Sequence, residues 1–370
     1  MKVLSVFGTR PEAIKMAPLL QALEREPSIE SIVAVTAQHR EMLDQVLQLF
    51  DIHPDYDLNL MRHGQTLEDI TSAVLKGLYP ILEDEKPELV LFHGDTTTTM
   101  ATALAAYYHG IPCGHVEAGL RSGDKYAPFP EEVNRRIATL LADYNFAPTE
   151  LAANNLRKEN VAESSIYITG NTVIDALLQA VDKPCSLNGL GLDDVDWSKK
   201  IILLTCHRRE NWGGPMKQIF AAINDVLADH PEAEVVFPVH KNPLVREIAK
   251  EKLGNNKRVH FCEPLDYLPF CHVMKQAYLL VTDSGGMQEE GPSLGKPVLV
   301  LRAVTERPEA VEAGTAMLIG NNYDNVHKGV DLLLSNKAFY DRMAQANNPY
   351  GDGRAALRIA SIISAIAENK

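Results

Sequence analysis

Residues 280–290 read Leu280-Val281-Thr282-Asp283-Ser284-Gly285-Gly286-Met287-Gln288-Glu289-Glu290. A short apolar run stops at Asp283, two glycines follow, and a polar segment suited to a helix begins. The stretch is a strand feeding straight into a helix N-terminus. The step recurs at the start of the chain, where residues 2–7 run as a buried strand into Gly8-Thr9-Arg10-Pro11. Working outward, strands are expected at 2–7, 31–36, 88–93, 112–117, 144–147 and 166–169, with helices at 11–26, 39–50, 66–85, 96–109 and 131–142. Residues 182–199, with Pro184, Gly189 and Gly191, break this rhythm and read as a linker. It then restarts, with strands at 200–205, 234–239, 257–262, 278–282, 297–300 and 316–319. Helices are expected near 215–229, 242–252, 266–275, 285–294 and 322–336, and a last one at 354–367. Alternation of this kind builds parallel, doubly wound sheets. The expected fold class is therefore α/β, with two Rossmann-like domains and a ligand cleft between them. The first domain covers 1–170 together with the last helix, about 354–370, and the second covers 171–353.

With 370 residues, 45% of them hydrophobic and 23% charged, the chain can fill two cores. No apolar run approaches the roughly 20 residues of a membrane span, and the N-terminus reads as a strand rather than a signal peptide. The five cysteines, at 113, 185, 206, 262 and 271, form no paired motif and fit reduced thiols in a cytoplasmic protein. A net charge of −13 argues against nucleic-acid binding, so a phosphate-bearing ligand must meet a local basic cluster. Histidines and cysteines show no metal-ligand spacing. No G-x-G-x-x-G follows the first strand, which leaves nicotinamide and flavin cofactors without support.

In such sheets ligands bind beyond the carboxyl ends of the strands, and the polar residues of this chain gather there. After the first strand, Gly8 permits close backbone approach, Arg10 is held out of the helix by Pro11, and Arg10 and Lys15 can face one anion. Asp95 follows the third strand, placed either to cap the next helix or to act in a site. Glu117 ends the fourth strand, where a merely solvated carboxylate is out of place. Glu131 and Glu132 open a helix. For Glu132 and Arg136 the helix dipole and an i,i+4 pair suffice, whereas Glu131 can project beside Asp95 and Glu117. In the second half His207, Arg208 and Arg209 end a strand and suit a diphosphate, and His240 repeats the arrangement more weakly. Ser284, Gly285 and Gly286 can offer amide donors to phosphate, Glu290 can accept from ribose hydroxyls, and Arg307 adds a positive charge.

The strings Phe7-Gly8-Thr9-Arg10-Pro11-Glu12, Gln38-His39-Arg40-Glu41-Met42, His93-Gly94-Asp95-Thr96-Thr97-Thr98, Glu117-Ala118-Gly119-Leu120-Arg121, Gly170-Asn171-Thr172-Val173-Ile174-Asp175, Asp283-Ser284-Gly285-Gly286 and Asn348-Pro349-Tyr350-Gly351-Asp352-Gly353 occur in this order. Together they resemble the non-hydrolysing UDP-N-acetylglucosamine 2-epimerases of bacteria, essentially end to end. The resemblance implies a GT-B-like pair of domains, a homodimer, and interconversion of UDP-GlcNAc and UDP-ManNAc for surface polysaccharides. It implies catalytic roles for Asp95, Glu117, Glu131 and His207. It also implies substrate contacts from Arg10, Lys15, Asp95, Glu117, His207, Phe270, Ser284, Gly285, Gly286, Glu290 and Arg307. UDP-GlcNAc can also act as an activator in this family, and Gln38, His39, Gln65 and Arg208 are the candidate effector residues. Three positions depart from the pattern. Cys206 stands where many relatives have glycine, Gly291 where alanine is common, and Leu265 where some have a polar residue, so that only its backbone could read the uracil.

The chemistry agrees with the residue types. The sugar C2 has no adjacent carbonyl to acidify its proton, and oxidation would need the absent nicotinamide fingerprint. Elimination of UDP to a 2-acetamidoglucal and re-addition asks for donors on the leaving diphosphate and carboxylates near the sugar. A GT-B glycosyltransferase, a hydrolysing epimerase and a non-catalytic nucleotide-sugar sensor are the competing readings.

Overall fold

The computed structural model describes residues 1–37, 40–60, 62 and 64–368. The chain divides into two compact units, Met1–Ala176 with Tyr350–Lys370, and Leu177–Pro349.

In the first unit the elements run β1 (Lys2–Phe7), α1 (Arg10–Glu24), β2 (Glu30–Val35), α2 (Arg40–Phe50), β3 (Tyr56–Asp57), α3 (Leu67–Glu85), β4 (Leu89–His93), α4 (Thr97–Tyr108) and β5 (Cys113–Val116). They continue with α5 (Glu131–Leu141), β6 (Tyr144–Ala147), α6 (Glu150–Lys158), β7 (Ile166–Ile168) and α7 (Thr172–Asp182), the last of which spans the boundary. The strands form one parallel sheet in the order β3-β2-β1-β4-β5-β6-β7. Strand order reverses between β1 and β4, and at such a switch point the loops diverge and leave room for a ligand. The strands read as continuous apolar runs because helices cover both faces. Leu4, Val6, Val90 and Phe92 pack with Val74, Leu78, Ala101 and Ala105 in one core.

In the second unit come β8 (Lys200–Thr205), α8 (Gly214–Asp229), β9 (Ala233–Pro238), α9 (Pro243–Leu253), β10 (Val259–Cys262), α10 (Tyr267–Gln276), β11 (Leu279–Thr282), α11 (Gly285–Ser293) and β12 (Val298–Val300). Then follow α12 (Pro308–Glu312), β13 (Ala316–Leu318), α13 (Tyr323–Ser335) and α14 (Lys337–Ala344). The parallel order is β10-β9-β8-β11-β12-β13, with its switch point between β8 and β11. Gly291 has a packing reason here, since a Cβ would come 2.5 Å from Leu280 Cδ1 and 2.9 Å from Val298 Cγ2. The last helix, α15 (Ala355–Glu368), packs on α1 in the first unit.

Every expected strand forms. The structure adds β3, too short for any period to show, and the helices α6, α7 and α14. Helix α6 carries two asparagines in nine residues, which dilute its apolar stripe; Thr149 caps it by accepting from Ala152 N at 3.1 Å. Helix α14 begins directly after α13, with Asn336 as both the C-cap of one and the N-cap of the next. A junction without a loop reads as one continuous segment. Among the described residues no helix is long and apolar enough to cross a membrane, and the five cysteines are free thiols.

Candidate active site

In the first unit the site grows from the β1 and β4 ends. Thr9 caps α1, and Arg10 is its first residue. This corrects the expectation that Pro11 keeps Arg10 out of the helix. Glu12 tightens the turn, its Oε2 accepting from Gly8 N at 3.1 Å and from Thr9 N at 2.7 Å. The conformational bias before proline yields to those bonds. Gly8 is also explained differently from the sequence reading. A Cβ there would lie 2.0 Å from Thr36 Oγ1, so the β2 end, not a ligand, fills the space.

The buried Glu12 carboxylate also reaches β4's loop, its Oε1 accepting from Thr96 Oγ1 at 2.7 Å and Thr99 Oγ1 at 3.1 Å. Burial raises its pKa, and these hydrogen bonds oppose the shift. The cap of α4 is Thr96, whose side chain accepts from Thr99 N at 3.1 Å. Capping therefore does not account for Asp95. Its carboxylate pairs with Arg135 of α5, and its carbonyl accepts from Asn134 Nδ2 at 3.0 Å. Burial raises the Asp95 pKa most; Arg135 opposes and the neighbouring Glu117 adds to the rise.

Glu117 stands at a φ of 64°, a left-handed backbone that costs a non-glycine residue about 1–3 kcal/mol. Its Oε2 pairs with Lys15 and accepts from Asn171 Nδ2 at 2.8 Å, and His93 Nε2 lies 3.8 Å from Oε1. Lys15, expected to face an anion beside Arg10, is thus turned to a carboxylate. Buried His93 and His115 are held neutral, their pKa values lowered to about 3 and about 4 chiefly by burial. His115 Nε2 donates to Gly94 O at 2.7 Å. Glu131 opens α5 one turn before Arg135, and so lies on the helix face that carries the arginine to Asp95. Its Oε2 is buried with no hydrogen-bond partner among the described residues, a costly state for a carboxylate oxygen. Glu132 is wholly buried and structural, accepting from Ser122 N at 2.9 Å and Arg136 Nε at 3.1 Å.

In the second unit a pocket of about 220 Å³ gathers His207, Leu265, Phe270, Ser284 and Glu290, with Cys206 and His240 also in its wall. The His207 and His240 rings stack with centroids 5.8 Å apart. Burial lowers the His207 pKa, and Asp283 opposes. Ser284 is the N-cap of α11, with no side-chain cap bond of its own. A Cβ at Gly285 would meet nothing within 4 Å among the described residues, which leaves room at the first turn for a ligand. Tyr267 donates to Glu290 Oε1 at 3.3 Å, fixing the carboxylate proposed for the ribose. Arg307, expected as a positive charge for phosphate, is paired with buried Glu289. A larger cavity of about 750 Å³ lies behind the same loop, sharing Pro264 and Leu265 but none of the strand-end histidines.

Of the candidate effector residues, Gln38 and His39 lie outside the described residues. Gln65 accepts from Arg62 N at 2.8 Å, and Arg208 follows His207 on the β8 loop. The sequence reading gave no role to Glu12, His93, Asn171 or Asp283. Glu12 lies in the first turn of α1, His93 is the last residue of β4, and Asn171 and Asp283 follow strand ends; a polar residue beside a buried strand was the available signal.

Two parallel sheets, each with its polar groups at the switch point, define a protein of the two-Rossmann-unit class, with a carboxylate cluster in one unit and an anion-ready helix start in the other. The family model described as UDP-N-acetylglucosamine 2-epimerase matches residues 21–364. The chain is 56% identical to the UDP-N-acetylglucosamine 2-epimerase of Escherichia coli K12 over 365 residues, 97% of each chain. Its fold matches a putative UDP-N-acetylglucosamine 2-epimerase from Listeria monocytogenes with a TM-score of 0.93 at 50% identity, covering 100% of this chain and 97% of the other. It matches the Neisseria meningitidis UDP-GlcNAc 2-epimerase bound to UDP-GlcNAc with a TM-score of 0.87 at 48% identity, covering 98% and 99%. The chain belongs to the UDP-N-acetylglucosamine 2-epimerase family.

Proposed function

We propose that this protein interconverts UDP-GlcNAc and UDP-ManNAc without hydrolysis. The observation that carries this reading is the Asp95–Glu117 pair, two carboxylates close enough to raise the pKa of Asp95, each backed by a cation, at the switch point of one sheet. A protein that only gripped an anionic nucleotide sugar would gain nothing from them. In the forward direction a carboxylate takes the proton from C2, the C1–O bond breaks, and its electron pair leaves with the UDP β-phosphate oxygen. The C1=C2 double bond of 2-acetamidoglucal results. Return of UDP to C1 and of a proton to the opposite face of C2 completes the epimerisation.

Asp95, Glu117 and Glu131 are the proton-transfer groups. His207 stabilises the leaving diphosphate, with Arg10, Lys15, Arg307 and the Ser284-Gly285-Gly286 turn as further contacts. Leu265 and Phe270 line the base pocket, and Glu290 holds the ribose. The same reading has the enzyme act in the cytoplasm as a homodimer feeding surface polysaccharide synthesis, with UDP-GlcNAc also an activator through Gln38, His39, Gln65 and Arg208. Proton NMR of UDP-GlcNAc incubated with the protein in heavy water, without added cofactor, tests the proposal. UDP-ManNAc carrying deuterium at C2 is expected, with Asp95→Asn slowing its formation by about 100-fold or more. Free ManNAc with UDP would make the enzyme a hydrolase, and unchanged substrate would leave a glycosyltransferase or a sensor.

A further inference from the structure

Asp283 directly follows β11 and is wholly buried. Its Oδ2 accepts from His207 N at 2.8 Å, Arg208 N at 2.8 Å and Asn211 Nδ2 at 3.0 Å, so one oxygen pins the β8 loop to the β11 end. Its Oδ1 is buried, has no hydrogen-bond partner among the described residues, and lies 3.2 Å from His207 Nδ1, close enough to accept from that nitrogen once the two are aligned. Asn211, also wholly buried, is fixed in turn by Leu301 O at 3.1 Å and by Asn321 Nδ2 at 3.1 Å, and Trp212 Nε1 donates to His207 O at 3.0 Å. The carboxylate that holds the backbone of His207 therefore also faces its ring. A carboxylate facing Nδ1 selects the tautomer with the proton on that nitrogen, because the other would set two lone pairs against each other. Nε2 is then the nitrogen left for substrate.

We propose that Asp283 is a positioning residue, which fixes His207 with its proton on Nδ1 and presents Nε2 to the diphosphate of the nucleotide sugar. The assignment rests on the role given to His207 above. Asp283 also supplies the counter-charge for the imidazolium formed when Nε2 takes up a proton from solvent water, whose Nε2–H then donates to the leaving diphosphate oxygen. The other titratable or charged groups facing the ring are His240 across the stack and Arg208 on the same loop, with Glu290 in the pocket wall. None of these offers an acceptor to Nδ1 in the way Asp283 does.

Nitrogen NMR of the intact wild-type protein labelled at histidine, with His207 assigned by its absence in His207→Gln, reads the tautomer directly. A protonated Nδ1 and unprotonated Nε2 at pH 8 are expected. A protonated Nε2, or an averaged mixture, would overturn the proposal. In Asp283→Asn the amide must present either its oxygen or its NH2 to the ring. With the oxygen committed to the backbone donors, the NH2 faces Nδ1 and drives the proton to Nε2. That variant should lose at least about 100-fold in kcat while UDP affinity changes by no more than a few-fold. Adding Asp283→Asn to His207→Gln should cost little more, since both remove one device; full additivity would make Asp283 merely structural. Should His207→Gln alone keep its activity, the role of His207 fails, whereas the tautomer measurement still decides the positioning.

Discussion

Each unit ties the two strand ends at its switch point together with one buried carboxylate, Glu12 between β1 and β4 and Asp283 between β8 and β11. Such groups are costly to bury and hold their place only because several donors converge on them. The two buried histidines of the first unit bear on stability instead. Unfolded, they take up a proton near pH 6.5; folded, they resist until about 3 for His93 and about 4 for His115. The unfolded chain thus binds more protons in that window, and stability falls as pH drops below about 6.5. Glu12 and Asp95, with raised pKa values, act in the opposite sense: their contribution is present at low pH and lost as pH rises through their folded values. Comparing the pH dependence of the melting temperature in wild type and His115→Gln separates the two. The variant should show the flatter fall between pH 6.5 and 5, and an unchanged slope would count against a neutral buried His115.

At the scale of elements, helix ends decide where the chemistry stands. Thr96 takes the cap of α4 and so leaves Asp95 to Arg135. The periodicity gives the helix, but two adjacent cap-competent residues leave its first turn undecided, and only the backbone path settles which one turns inward. Asp175 makes a comparable junction at the other end of the chain. Its carboxylate accepts from Ala355 N at 3.2 Å and Ala356 N at 2.9 Å, capping α15, while Asn171 N donates to Tyr350 O at 2.7 Å. Asp175→Ala should cost about 1–2 kcal/mol, a cap's usual worth, and raise hydrogen exchange through the first turns of α15. Exchange unchanged there would mean that packing on α1 alone holds the helix.

For the molecule as a whole, the proposed reading assigns the base and ribose contacts to the second unit and proton transfer to the first, a division that experiment can separate. UDP alone, at 100 times its Kd, should stabilise the protein by about 2.7 kcal/mol. The protection from hydrogen exchange should centre on 205–208, 263–270 and 284–290, around the pocket of the second unit. Protection centred instead on the loops after β1, β4 and β5 would reverse the division of labour. Glu290→Gln should weaken UDP binding, whereas Glu117→Gln should leave it within a few-fold and abolish turnover.

The sequence by itself determined the strands, most of the helices, the parallel class and the loops that carry the polar groups. Burial on a strand and amphipathicity on a helix repeat every few residues, so a short window contains the whole signal. It also marked Asp95, Glu117, His207 and Glu290, because polar residues next to buried strand ends stand out locally. What it left open is which charges meet. Lys15 and Glu117 lie 102 positions apart, Asp95 and Arg135 40, and His207 and Asp283 76. Those partnerships follow from strand order, which sets β4 between β1 and β5 and places β8 beside β11, and so converts distant loops into neighbours. Lys15 became the partner of a carboxylate, and Asp283 the support of a histidine, only when the sheets assembled, since an ion pair or a shared proton depends on separations of about 3 Å that no periodicity encodes.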